Sequence, residues 1–311
     1  MKIAPLILEA TLRNYVWGGR ALQALAGADT PADLPIAEVW AIYEHNRIVG
    51  GPFAGRSLAE LLEDHASEIL GTRARQERFP LLIKLLDCAR WLSLQVHPDD
   101  RLACELEGPG FMGKTEAWYI LGAAPDSELI AGLKPNTTPA ALADAIRAGE
   151  KILDLVEYHP VQTGDTVFMP AGTIHALGPG LLAYEVQQTS DLTYRVFDWN
   201  RPRTGGRELH IEKSLAVSNP HARGQIQRFD SQQEDLVSCD YFQLERLSLP
   251  QTRDTRGESF HALTVIDGVA QLQTEDGLLT LAKFDSALIP ACVGSYQLRG
   301  NFQVLCASLA A

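Results

Sequence analysis

Two stretches of the chain repeat one another. "GDTVFMPAGTIHAL" begins at Gly164 and "FDSALIPACVGSYQL" begins at Phe284. Aligned without gaps, Asp165 meets Asp285 and Pro170 meets Pro290, with apolar residues matched between them. A repeated strand–turn–strand pattern implies two similar β units. The copies differ at a position that matters for chemistry, because His175 falls on Ser295. The second copy therefore reads as the same unit with its histidine lost.

The rest of the chain agrees with a mainly β protein. "FPLLIKLL", "AWYIL", "ELIAGL", "DTVFMP", "LLAYEVQ", "LTYRVFDW", "HALTVIDG", "VAQLQT" and "SALIPA" are short apolar runs bounded by Gly, Pro, Asn and Asp, and each reads as a strand. Many short strands with turns between them suggest a sandwich or jelly roll with helices inserted. Helical signals are few. Ser57 opens "SLAELLEDHASEILG" with Glu60 three residues on, a capping box, and Gly71 closes it. Thr138, Pro139 and Gly149 bracket a second helix. The polar stretch "NPHARGQIQRFDSQQED" reads as a linker, which places a first domain at 1–228 and a second at 229–311.

The formal charge of −12 disfavours a nucleic-acid partner, which would want a basic face. An anionic small molecule stays compatible, since a local Arg and Lys cluster can bind one. Five cysteines without C-x-x-C spacing read as reduced thiols in a cytoplasmic protein. The first residues hold only a short apolar run, broken by Pro5 and ended by Glu9, so neither a signal peptide nor a membrane span is expected there.

Three stretches carry chemistry. In "LSLQVHPDD", Gln95 and His97 are two apart and share one face of a strand. In "GKTEAWYIL", Glu116 sits inside a strand pattern. In the repeat, Gly164 and Gly172 shape turns and His175 starts a return strand. One amide, two imidazoles and one carboxylate suit a borderline divalent ion such as Zn²⁺. With a single charged ligand the ion keeps net positive charge and remains a Lewis acid. Taken singly, each residue has a plainer reading, a packed histidine or a solvent-facing glutamate. Histidines 45, 65, 159, 210, 221 and 261 keep that plainer reading, and Asp99 and Asp100 read as an N-cap and a first-turn acid.

The spacing G-x5-P-x-G-x2-H from Gly164 to His175 resembles the second motif of the cupin superfamily, without its final Asn. The first cupin motif usually holds H-x-H; here it reads Gln95-Val96-His97, with its Glu arriving late as Glu116. That departure is similar to the type I mannose-6-phosphate isomerase family in its short bacterial form. The matching segments run in order from "NYVWGG" through "FPLLIKLLD", "LSLQVHPDD", "GKTEAWYI" and "VFMPAGTIHALGPGLLAYEVQQTSDLTYRVFDWNR" to "RELHI".

The resemblance implies two cupin-type jelly-roll barrels with a few inserted helices, a catalytic metal-binding barrel followed by a degenerate one without metal. It implies one Zn²⁺ per chain, with Co²⁺ or Mn²⁺ as substitutes, held by Gln95, His97, Glu116 and His175. It implies Arg195, Lys114 and Asp191 as catalytic groups, and Trp17, Gly18, Lys114 and Arg195 as substrate-binding ones. A plainer reading of Arg195 pairs it with Asp191 or Asp198. The implied reaction is the interconversion of mannose 6-phosphate and fructose 6-phosphate through an enediol-type intermediate. The implied partner is a phosphorylated hexose, with no nucleic acid or membrane, in a monomer or homodimer. Two rivals are a metal-dependent cupin oxygenase, disfavoured by Gln95 in place of a histidine, and a non-catalytic sugar-phosphate-binding cupin.

Overall fold

The computed structural model describes residues 3–26, 31, 33–203 and 206–311. Its contacts gather into two compact units, one comprising Leu12–Glu38 and Leu85–Phe229, the other the N-terminal segment up to Thr11 with Val39–Lys84 and Asp230–Ala311.

The unit built on Leu85–Phe229 is a two-sheet sandwich of the jelly-roll kind. One sheet has five strands in the order Tyr194–Phe197, Leu94–Val96, His175–Leu177, Glu128–Leu133 and Val156–Pro160. Facing it run Gln225–Gln227, Thr166–Met169, Glu116–Ala123, Leu181–Gln188 and Leu81–Cys88, in hydrogen-bonded order. The chain passes to the other unit within the last of these. Period-two alternation decides what each strand buries. Leu94, Val96, Ile130, Ala176, Tyr194 and Val196 pack in one apolar cluster with Leu142 and Ile146 of the helix Pro139–Arg147 and Val217 of the helix Ile211–Val217. Leu129, Ala131 and Leu177 point the other way and pack with Trp118, Ile120, Val167 and Met169 of the facing sheet. The residues that alternate with the helix-covered set, Gln95, His175 and Arg195, therefore face the inside of the sandwich.

The other unit is an eight-stranded antiparallel sheet around the long strands His261–Thr274 and Ser295–Leu309. Leu263, Val265, Leu272, Leu298, Phe302 and Val304 form its core. The sequence reading assigned all of 1–228 to one domain, but local backbone bonds tie earlier segments here. Leu6 pairs with Leu288, the Thr72 and Arg73 N–H groups donate to the Gly257 and Glu258 carbonyls at 3.0 and 2.9 Å, and Phe79 packs on Phe260 with ring centroids 4.8 Å apart.

The two helix signals hold. Leu58–Leu70 begins at Ser57 with both capping-box bonds formed, and Pro139–Arg147 begins at Thr138, whose side chain accepts from Ala141. Asp99 caps the helix Asp100–Glu107 by accepting from the Leu102 N–H at 2.7 Å. "HALTVIDG" and "VAQLQT" are one continuous strand, His261–Thr274, and not two. A bulge between Val265 and Asp267 and a left-handed Gly268 (φ 72°) bend it without breaking its pairing with Ser295–Leu309. A Cβ at Gly268 would run into the Asn301 carbonyl. Gly268→Ala is therefore expected to lower stability by about 2 kcal/mol or more. Thermal melting beside wild type checks this, and metal content should not change, because Gly268 lies in the unit without the metal cluster.

Candidate metal centre and active site

Cross-strand register assembles the site. His175 pairs with Gln95, and Gln95 pairs in turn with Arg195, so the three stand in one row across neighbouring strands on the inward face. From the facing sheet comes Glu116, at the start of its strand and paired with Met169 and Gln187. The metal-binding atoms of His97, Glu116 and His175 all lie within 4.8 Å of one another, and all three residues are buried.

Second contacts fix the imidazoles. His97 Nδ1 donates to the Leu192 carbonyl at 2.7 Å, and His175 Nδ1 donates to the Thr173 carbonyl at 2.8 Å. A carbonyl only accepts, so each ring carries its proton on Nδ1 and, when neutral, a lone pair on Nε2. Burial, reinforced by Lys114, holds His97 well below the usual histidine range and hence neutral. The turn that delivers His175 closes on the same strand, since the Gly172 N–H donates to the His97 carbonyl at 2.8 Å and Gly172 is left-handed at φ 83°.

Glu116 is fully buried. Burial alone would push its carboxyl up, yet neighbouring charge, the Lys114 ammonium foremost, holds it well below the usual carboxylate range. Its Oε1 has no hydrogen-bond partner and lies 3.2 Å from His175 Nε2. With the His175 proton on Nδ1, these are two acceptors facing each other, an arrangement that favours a cation between them. Gln95 adds a terminal amide 3.2 Å from His175 Nε2, and half a turn of that amide presents its oxygen there instead. Lys114 Nζ reaches Glu116 Oε2 at 2.5 Å and His97 Nε2 at 3.1 Å, with Glu185 Oε1 3.9 Å away. Two buried carboxylates against one ammonium leave local negative charge for a divalent ion. The donor set thus fits the expected metal.

The other expected site residues fall in different places. Arg195 is half-buried on the inward face and donates to the Gly206 and Glu208 carbonyls at 3.0 and 3.2 Å. Its backbone N–H donates to His210 Nδ1 at 3.0 Å, and the His210 N–H donates to the Arg195 carbonyl at 2.9 Å. It does not pair with Asp198, whose carboxylate takes Arg201 at 3.1 Å and Arg207 at 2.7 Å. Burial and the neighbouring Arg207 lower the pKa of the Arg195 guanidinium. Asp191 is exposed and outside the cluster, though its neighbour Leu192 holds His97. Trp17 is a core residue, 4% exposed, packed with Leu86, Leu92 and Trp118. Gly18 abuts the Ala37 backbone, where a Cβ would clash. Both positions are closely packed.

Two residues escaped the sequence reading. Glu185, 4% exposed, accepts from Trp118 Nε1 at 2.8 Å beside Lys114. Its signal was present, a glutamate inside the apolar run "LLAYEVQ". His210, read as plain, clamps the Arg195 backbone, and no local pattern announces that.

Comparison with known proteins agrees with this geometry. The family described as "Phosphomannose isomerase type I, catalytic domain" matches residues 6–119, and "Mannose-6-phosphate isomerase, cupin domain" matches residues 232–308. The chain is 33% identical to the mannose-6-phosphate isomerase ManA of Bacillus subtilis over 322 residues, covering 99% of this chain and 100% of that protein. The chain belongs to the type I mannose-6-phosphate isomerase family. The mannose-6-phosphate isomerase of Streptococcus mutans is 33% identical over 315 residues, covering 97% of both chains. A crystal structure of the Bacillus subtilis mannose 6-phosphate isomerase superposes with a TM-score of 0.87 at 32% identity over 98% of this chain and 99% of that one. The fold is thus the cupin fold of this isomerase family. Among the described residues no helix is long and apolar enough to cross a membrane.

His175→Ala and Glu116→Ala are expected to lose the divalent ion while staying folded, because apolar burial and not one ion builds the core. His210→Ala should keep its ion. Elemental analysis of the purified variants, with circular dichroism for folding, checks both statements; metal retained in His175→Ala would overturn the ligand set.

Proposed function

We propose that the chain interconverts D-mannose 6-phosphate and D-fructose 6-phosphate at one divalent ion held by Gln95, His97, Glu116 and His175. The carrying observation is the buried Glu116 Oε1 facing His175 Nε2 inside the first barrel of an isomerase-family chain. Zinc suits this mixed nitrogen and oxygen set best, and cobalt or manganese can replace it, since imidazole and carboxylate ligands are not strongly selective. When bound, the ion supplies Lewis acidity toward the sugar O1 and O2 oxygens.

The chain's own groups do the rest. The C2 proton of the open aldose must leave and a proton must arrive at C1, with the hydroxyl proton moving between O2 and O1, through an enediol-type species. A base within hydrogen-bond reach has to carry the carbon-bound proton. Of the two bases suggested by the sequence, Lys114 stands in the cluster, 2.5 Å from Glu116 Oε2, whereas Asp191 is exposed. The geometry therefore favours Lys114. Trp118 and the apolar residues around it keep bulk water from the inner wall of the site.

Arg195 provides positive charge in an acidic protein. Its guanidinium is a fixed fork of donors suited to a phosphate or to vicinal oxygens. The Gly206 and Glu208 carbonyls hold that guanidinium, while the Arg195 backbone is fixed by His210 and by pairing with Gln95. Arg195→Ala is expected to keep its metal and lose ~100-fold or more in kcat/KM, the scale for removing one transition-state donor. Arg195→Lys should recover only part of the loss.

A coupled isomerase assay on the purified protein tests the activity directly. Chelation should abolish turnover, and Zn²⁺, Co²⁺ or Mn²⁺ should restore it to different extents. Full turnover in a verified metal-free sample would overturn the metal dependence. Oxygen uptake without isomerisation would favour the oxygenase instead.

A further inference from the structure

The second barrel has a cavity of its own, about 600 Å³ in volume. That is within the usual small-molecule range of roughly 300–1,000 Å³. Its walls include Arg73, Glu245, Arg253, Glu258, His261 and Ser295.

Register shows what this cavity corresponds to. In the first barrel the Gly164 N–H donates to the Ile120 carbonyl at 2.8 Å, the Ile120 N–H to the Asp165 carbonyl at 2.9 Å, and the Asp165 carboxylate accepts from the Gln162 N–H at 3.0 Å. In the second the Phe284 N–H donates to the Val265 carbonyl at 2.7 Å, the Val265 N–H to the Asp285 carbonyl at 3.0 Å, and the Asp285 carboxylate accepts from the Ala282 N–H at 2.8 Å. Gly164 and Phe284 are both left-handed, at φ 94° and 73°. Ile120 thus corresponds to Val265, and four residues earlier Glu116 corresponds to His261. The pairs Glu116 with Met169 and His261 with Ile289 agree with that register. With Ser295 at the place of His175, the cavity is the second barrel's counterpart of the metal pocket.

Its chemistry is different. His261 is 8% exposed, and its Nδ1 lies 2.7 Å from the Tyr296 hydroxyl. One hydrogen bond joins that hydroxyl to Nδ1, and either atom can be its donor. Burial, with Arg253 adding to it and Asp254 opposing, holds His261 down at about 4, so the ring is neutral near pH 7. Among the described residues its Nε2 has no hydrogen-bond partner. Arg253 pairs with Glu245, and Arg73 pairs with Glu258, so each wall sets donors beside acceptors. Three arginines, with Arg256, stand against the four carboxylates of Asp235, Glu245, Asp254 and Glu258. A phosphate dianion finds no net positive charge there. Hydroxyl groups, which donate and accept at once, match alternating donors and acceptors.

We infer that this second-barrel cavity binds an uncharged polyhydroxylated ligand, an unphosphorylated hexose or its alditol, independently of the metal site. The test is calorimetric titration of D-mannose and of D-mannitol into the full-length, metal-loaded protein. Saturable binding is expected, and saturating sugar phosphate should not displace it. His261→Phe and Glu245→Gln should weaken it by about tenfold or more. Ser295→Trp, at an exposed strand end, should block it even if Glu245→Gln fails to fold. All three should keep kcat/KM for mannose 6-phosphate within about twofold, since the two sites have no residue in common. No saturable binding up to about 50 mM ligand would overturn the inference. So would binding unchanged in His261→Phe and Ser295→Trp, displacement by sugar phosphate, or His261-dependent binding of inorganic phosphate tighter than that of either sugar.

Discussion

A carboxylate without access to water needs compensating charge, and Glu116 is such a carboxylate. The inner surface of the first barrel is organised around that requirement. Lys114 lies against one oxygen, and the Nε2 atoms of His97 and His175 come close to the pair. The histidines in turn are held by the Leu192 and Thr173 carbonyls, which keeps their protons away from the centre. The result is a group of acceptors converging on one point, stable enough to be pre-formed and still short of cationic charge. The contacts at the two Nδ1 atoms orient the rings and turn each Nε2 lone pair toward the centre.

Both barrels use the same strand–turn–strand scaffold, yet they satisfy their inner polar groups differently. In the first, acceptors are left for an ion. In the second, Tyr296 hydrogen-bonds His261, and Glu245 pairs with Arg253. Such pairs hold their members in place and present fixed hydrogen-bonding groups to the cavity. One architecture thereby supports a metal centre and a polar pocket, because in a jelly roll the inward side chains can change while the outward ones keep the sheets packed.

Much of the catalytic unit was legible in the sequence. The Ser57, Thr138 and Asp99 caps were readable because capping depends on residues within one turn. Gln95, His97, Glu116 and His175 stood out as polar residues in apolar strand patterns. The segments Val39–Lys84 and the N-terminus were not legible as part of the second unit, since their partners, such as Gly257 for Thr72 and Leu288 for Leu6, lie far along the chain. The sequence pattern divides the long strand His261–Thr274 in two because its bulge and Gly268 resemble a turn locally. The close packing of Trp17 on Trp118 and of Gly18 on Ala37 is not legible locally, because those neighbours come from other segments of the chain.

By itself the sequence determined the class of fold, the type of each chemical group and the face of its strand, because strand alternation is a local property of the backbone. It also determined that the second copy of the motif lacks a histidine at Ser295. Which groups meet was decided by tertiary structure. Gln95 touches His175 across a separation of 80 residues, Arg195 joins their row through cross-strand pairing, and His210 rather than any aspartate holds the Arg195 backbone. Register between distant strands follows from the fit of whole faces, so no short stretch encodes it. For the same reason His261, an ordinary histidine in the sequence, becomes the second barrel's counterpart of Glu116 only once both sheets are folded.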